Sequence, residues 1–88
     1  MFVAGEFEAG LDHGPFTELG DDKLTKLSRF MFYPYYMPNC AGLSRVAYTN
    51  HSFGTAYRGY GAPQAFTCSE AIVDMLAEKA GIDPFEFR

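Results

Sequence analysis

Apolar residues recurring at helical spacing over residues 63–80 set the strongest limit on how this chain can fold. Ala65, Ser69 or Cys68, Ile72, Leu76 and Ala80 fall at three- and four-residue intervals, which places them on one stripe of an α-helix. Pro63 suits the first turn, where its missing N–H costs little, and Gly81 offers a left-handed stop. Asp83-Pro84-Phe85-Glu86 then has an N-cap residue, proline at the first helical position and glutamate at the third, the layout of another helix start. A helix broken off within one turn is unstable, so residues 1–88 read as a partial domain, cut inside a helix start of a longer protein. Glu70 and Asp74 lie one turn apart; an acid/base pair has that spacing, but two like charges on a solvated face is the simpler reading, with only Glu70 near the favourable positive end.

Residues 53–64 feed that helix and hold most of the chemistry. Gly54, Gly59 and Gly61 accept positive φ, so the backbone can turn sharply and aim successive N–H groups at one point, as anion- and oxo-binding loops do. Arg58 adds a fixed charge and a planar fork of donors, with Tyr57 and Tyr60 beside it as pocket walls. An ordinary glycine-rich loop, with packed tyrosines and a solvated arginine, is the competing reading. Two familiar loops are excluded: Gln64 occupies the place of the third glycine of a dinucleotide fingerprint, and no Gly-Lys-Ser/Thr follows as a P-loop requires.

Upstream, alternation around Glu6, Phe7 and Glu8 predicts a half-exposed strand over residues 3–12, broken by His13-Gly14-Pro15. His13 could be a ligand or a base, but a histidine in such a turn more often serves local hydrogen bonding. A helix over residues 22–32, capped by Asp21 or Asp22 and ended by Pro34, would carry Leu24, Leu27 and Met31 on its apolar face and Lys23, Lys26 and Arg29 on the other. The proline- and tyrosine-rich residues 33–39 predict a packed connector, and residues 43–50 a strand with Val46 and Tyr48 on one face. The fold class that follows is α+β, short strands with two main helices.

Composition narrows the partners. Net charge is −4 and the seven basic residues are scattered, which argues against nucleic acid and anionic membranes. The longest uncharged stretch, residues 30–44, contains prolines and is too short to span a bilayer; no secretory signal is visible, so the cytoplasm is the default location. Nine Phe and six Tyr exceed what a core of 88 residues readily hides, so some should face a partner. Cys40 and Cys68 are expected as free thiols, and with His13 and His51 they do not make a zinc site.

Residues 49–64, Thr-Asn-His-Ser-Phe-Gly-Thr-Ala-Tyr-Arg-Gly-Tyr-Gly-Ala-Pro-Gln, resemble the Ala-Phe-Arg-Gly-Phe/Tyr-Gly-Ala-Pro-Gln signature of the molybdenum hydroxylases, the aldehyde oxidoreductases and xanthine dehydrogenases. The similarity extends through Ser69-Glu70 to Asp83-Pro84-Phe85-Glu86-Phe87-Arg88, and more loosely to Asp12-His13-Gly14-Pro15-Phe16 and Met37-Pro38-Asn39. It implies an excerpt of a molybdopterin-binding large subunit whose parent hydroxylates aldehydes or N-heterocycles with water-derived oxygen. It implies that Arg58 lies beside the metal with its backbone N–H toward the cofactor, that Gly59 and Gly61 permit close backbone approach, and that Tyr60 lines the substrate channel. Lys26 falls near where the xanthine-oxidising members carry an arginine, a substrate-contacting position, which weakens any claim that the substrate is a purine. The remainder of the subunit and an iron–sulfur domain or subunit are the implied partners. The family's catalytic glutamate lies outside this segment, so no residue here is assigned as catalytic, and the isolated chain is expected to hold no cofactor and to be inactive. The alternative is a stand-alone aromatic-rich binding module for a protein or small ligand.

Overall fold

Phe7 and Gly42 explain how the two strands of this protein meet. In the computed structural model, which describes every residue except Thr17, Glu18, Pro34, Phe53 and Ala56, and Gly20 and Asp21 by backbone alone, β1 spans Ala4–Asp12 and β2 spans Asn39–Ala47. They pair in parallel from Ala4 opposite Asn39 to Asp12 opposite Ala47. Phe7 lies opposite Gly42, and a Cβ on Gly42 would stand 2.2 Å from the Phe7 ring. Only glycine admits the ring there. Helix α1, Gly20–Phe30, makes the crossover that parallel strands require.

β1 alternates between exposed and half-buried residues, as its sequence predicts. β2 begins four residues earlier and ends three residues earlier than the predicted 43–50. The reason is its partner: Asn39-Cys40-Ala41-Gly42 has little strand propensity of its own but is held extended by the ladder to β1, a tertiary override of local preference. Tyr48, assigned to the strand with Val46, lies beyond it and is exposed.

α1 also starts earlier than expected. Its N-cap position is Leu19, with no side-chain cap, so Asp21 and Asp22 fall inside the first turn instead of capping it. The helix ends at Phe30, short of residue 32; the expected stop, Pro34, lies outside the described residues. Leu24 and Met31 are buried and Leu27 half-buried, as the periodicity requires. In the connector, Tyr35 packs its ring against Phe2, whereas Tyr33 and Tyr36 remain exposed.

α2, Ala62–Ala80, matches the predicted helix within a residue. Its buried row is Ala65, Ser69, Val73 and Ala77, however, while Ile72 and Leu76 of the expected stripe are exposed at 46% and 42%. Both rows fit the helical period, and the smaller side chains face inward because they let α2 lie close against its neighbours. The larger pair rims a hollow of ≈ 190 Å³ with Phe2, Phe32 and Met37. Gly81, at φ 67°, closes the helix: its N–H donates to Glu78 O and the Ile82 N–H to Ala77 O, a Schellman arrangement. The short α3, Pro84–Phe87, starts as predicted, with Asp83 Oδ2 accepting from the N–H groups of Phe85 and Glu86.

Candidate functional site

The segment that follows β2 is anchored before it turns. The ladder runs past both strands, with the His13 N–H donating to Ala47 O and the Thr49 N–H to Gly14 O. Residues 51–61 leave from that anchor and end against α1. At their far end three consecutive residues have positive φ: Gly59 at 92°, Tyr60 at 50° and Gly61 at 89°. Tyrosine in the left-handed region is uncommon and costs of order 1–3 kcal/mol, which the surroundings must offset. The turn is closed by the Tyr60 N–H to Tyr57 O and the Ala62 N–H to Gly59 O.

Gly61 is buried, and a Cβ there would lie 2.8 Å from Lys23 O of α1. The loop therefore meets backbone with backbone, which no other residue type allows. A Cβ on Gly59 would instead strike the Pro63 ring at 2.4 Å. Gly61 is also the N-cap of α2, with no side-chain cap bond, so the positive end of a long helix dipole opens beside the turn.

Arg58 is exposed, with no hydrogen bond or ion pair among the described residues. Tyr57 is 89% exposed and does not form a pocket wall among the described residues. Tyr60 is half-buried, and Lys26 Nζ sits 5.6 Å from its ring centroid, a cation–π approach. Loss of water contact first, then the negative charge of Asp22, pushes the Tyr60 phenol above its usual pKa. The structure thus brings Lys26 to Tyr60 and sets Gly59, Tyr60 and Gly61 in one turn, with the exposed Arg58 beside them in sequence. Phe53 and Ala56 of the same stretch lie outside the described residues. Gly54 is placed beside His13: a Cβ on it would lie 3.8 Å from His13 Nδ1. His13 is 1% exposed, packed inside instead of standing in an open turn. Cys40 and Cys68 are free thiols, and no cluster of three or more His, Cys, Asp or Glu among the described residues could hold a metal ion.

Two polar clusters escaped the sequence reading. Asp12, Thr49 and His51 meet where the loop begins, with His51 Nδ1 and the Thr49 hydroxyl both on the Asp12 carboxylate. The hydrogen bonds from Thr49, His51 and the Gly14 N–H, in that order, lower the Asp12 pKa to about 2 against the opposing effect of burial. Midway along α2, Glu70 and Asp74 do not face solvent as an idle pair. Arg88 binds both, at 2.7 and 2.6 Å, and the Tyr35 hydroxyl donates to Glu70 at 2.7 Å. The Tyr35 bond, with Arg88, holds Glu70 below its usual value. The spacing of Glu70 and Asp74 was visible in the sequence; a counter-charge 14 or more residues away was not.

Comparison with known proteins gives a consistent result. The family described as the molybdopterin cofactor-binding domain matches residues 1–88. The aldehyde oxidoreductase of Megalodesulfovibrio gigas is 50% identical over 86 residues, 98% of this chain and 10% of that protein. A putative xanthine dehydrogenase molybdenum-binding subunit of Escherichia coli is 45% identical over 56 residues, 61% of this chain and 7% of that protein. The solved aldehyde oxidoreductase of Desulfovibrio gigas superposes with a TM-score of 0.86 at 45% identity, covering 96% of this chain and 10% of that one. The chain spans about a tenth of the length of these relatives. No helix among the described residues is long and apolar enough to cross a membrane.

Proposed function

This chain belongs to the molybdopterin cofactor-binding domain family, whose relatives include molybdenum oxidoreductases, and from that premise we propose that its Arg58 loop is one wall of a molybdopterin site. The observation that carries the proposal is the run of positive φ from Gly59 to Gly61, opening onto the uncapped N-terminus of α2. Beyond its two internal bonds such a turn can offer backbone donors to an electron-rich group, and the exposed guanidinium of Arg58 adds charge of the right sign for an anionic cofactor. The residues present therefore fit the group on donor chemistry.

In this reading the Arg58 backbone N–H would help to hold the cofactor, and Gly59 and Gly61 would allow its close approach. When bound, the group would supply a two-electron acceptor for converting a C–H bond of an aldehyde or N-heterocycle to C–O with oxygen from water and loss of two protons. This chain's own contribution is positioning. Tyr60 presents a ring to a flat substrate, and Lys26 holds that ring from the other side while supplying a positive charge near it. The parent's remaining nine-tenths supplies the other cofactor contacts and the base, and an iron–sulfur domain or subunit takes the electrons. Residues 1–88 are then a segment of that domain, without cofactor and without activity when isolated.

The intact protein carrying this segment tests the proposal by its molybdenum and pterin content and its turnover of aldehydes and N-heterocycles. Tyr60→Ala should retain the cofactor and lose roughly tenfold or less in kcat/KM, the scale of a lost aromatic contact. Arg58→Ala should do the reverse, lowering molybdenum content first, because a charge-assisted contact orders the loop. Full activity of Tyr60→Ala on every substrate of the parent would remove the channel role.

A further inference from the structure

The Arg58 loop is a bridge pinned at both ends. Its far end is fixed by Gly61, seated against Lys23 O of α1. Its near end carries the Asp12, Thr49 and His51 cluster, in which one carboxylate gathers three donors from two separate chain segments. Asp12 Oδ1 accepts from the Gly14 N–H at 3.1 Å and from the Thr49 hydroxyl, while Oδ2 takes His51 Nδ1. The Thr49 hydroxyl accepts in turn from the His51 N–H at 3.2 Å. Thr49 is therefore a relay, bonded on one side to the end of β1 and on the other to the first turn of the loop. An isolated exposed ion pair contributes little, but here the pair is one member of a set of four bonds around a fixed backbone crossing, which restricts direction as well as distance.

We propose that Asp12, Thr49 and His51 form a positioning clasp that fixes the root of the Arg58 loop to the end of β1 and so sets the aim of the turn at Gly59–Gly61. None of the three touches the turn itself. They act through the chain that follows His51, by adding side-chain restraint to the backbone bond from the Thr49 N–H to Gly14 O and so narrowing the directions in which the chain can leave β1. The link from clasp to cofactor rests on the reading of the loop as a molybdopterin wall; the clasp itself does not.

The test is amide hydrogen exchange in the intact protein carrying this segment, followed over residues 49–61 and, as an internal reference, over residues 65–80. Asp12→Ala and Thr49→Val should each speed exchange in residues 49–61 by roughly tenfold, the scale of losing a charge-assisted or relayed bond, and leave 65–80 unchanged. Thr49→Ser, which keeps the hydroxyl, should restore the slow exchange, and that rescue separates positioning from loss of packing. Equal exchange in wild type and in both disrupting variants would overturn the clasp, as would acceleration spread evenly over 65–80, or a Thr49→Ser variant that behaves as Thr49→Val. Molybdenum content is read on the same samples: none in the wild type would sink the cofactor reading and leave the exchange result standing.

Discussion

The two ends of α2 are built to opposite purposes. At the C-terminal end the chain closes on itself: Gly81 and Ile82 return their N–H groups to Glu78 and Ala77, Asp83 caps the next turn, and Arg88 of that turn folds back to Glu70 and Asp74 in the middle of α2. At the N-terminal end satisfaction is withheld. Gly61 caps without a side chain, Tyr60 stands at positive φ, and Arg58 finds no counter-charge among the described residues. Backbone strain and an exposed charge at one end thus stand against closure at the other, the arrangement that the proposed cofactor wall requires of its support.

Glycine substitutions break the comparison most sharply. Both caps are left-handed glycines, but a Cβ on Gly61 meets the Lys23 carbonyl at 2.8 Å, while on Gly81 it meets nothing within 4 Å. Gly61→Ala adds a backbone clash to the φ strain and should cost about 2–5 kcal/mol, lowering the melting temperature of the intact protein and emptying it of molybdenum. Gly81→Ala carries the φ strain alone, about 1 kcal/mol, with molybdenum content unchanged. Equal losses from the two would mean that the loop does not rest on α1 as drawn.

Glu70→Gln probes the closed end more gently. The amide still accepts from Tyr35 but no longer pairs with Arg88, and after solvent screening of a group 35% exposed the loss should be roughly 0.5–1 kcal/mol by thermal melting, with substrate turnover unaffected. A change in turnover would connect this end of the helix to the site, which the comparison denies.

What the sequence shows follows the same division. The closed end was legible because its signals are local: Gly81, then Asp83 with Pro84, name their own geometry within a turn. The glycines and Arg58 of the open end were legible as a motif. The clasp was not, because Asp12 and His51 are 39 residues apart and meet only once β1 and β2 pair. The same blindness displaced β2, whose first residues are strand only by virtue of β1. In α2 the period allowed two rows, and the choice of Ala65, Ser69, Val73 and Ala77 over Ile72 and Leu76 came from how closely the neighbours approach, which no spacing encodes.

The smallest effect is an acid one, and it separates the two ends by pH. Asp12 has an ordinary value of 3.8 and is lowered to about 2 by Thr49, His51 and Gly14, so the folded carboxyl binds its proton more weakly than the unfolded one. Its contribution is therefore fully present above pH 4 and is lost as pH falls through 4 toward 2. Glu70 is lowered as well, by Tyr35 first, and its contribution is lost in the same direction, so a global melt below pH 4 reports both ends together. Local exchange separates them. After correction for intrinsic rates, residues 49–61 should open progressively between pH 4 and pH 2 in the wild type, because protonation removes the carboxylate charge that strengthens the bonds from Thr49 and His51 and turns one of its two oxygens into a donor. Asp12→Asn should already be open at pH 6 and show no further change across that window, while Glu70→Gln should keep the wild-type profile in this loop. A loop that opens on acidification equally in Asp12→Asn and wild type would place the titrating group elsewhere and leave the ion pair of Asp12 with His51 as an ordinary surface contact.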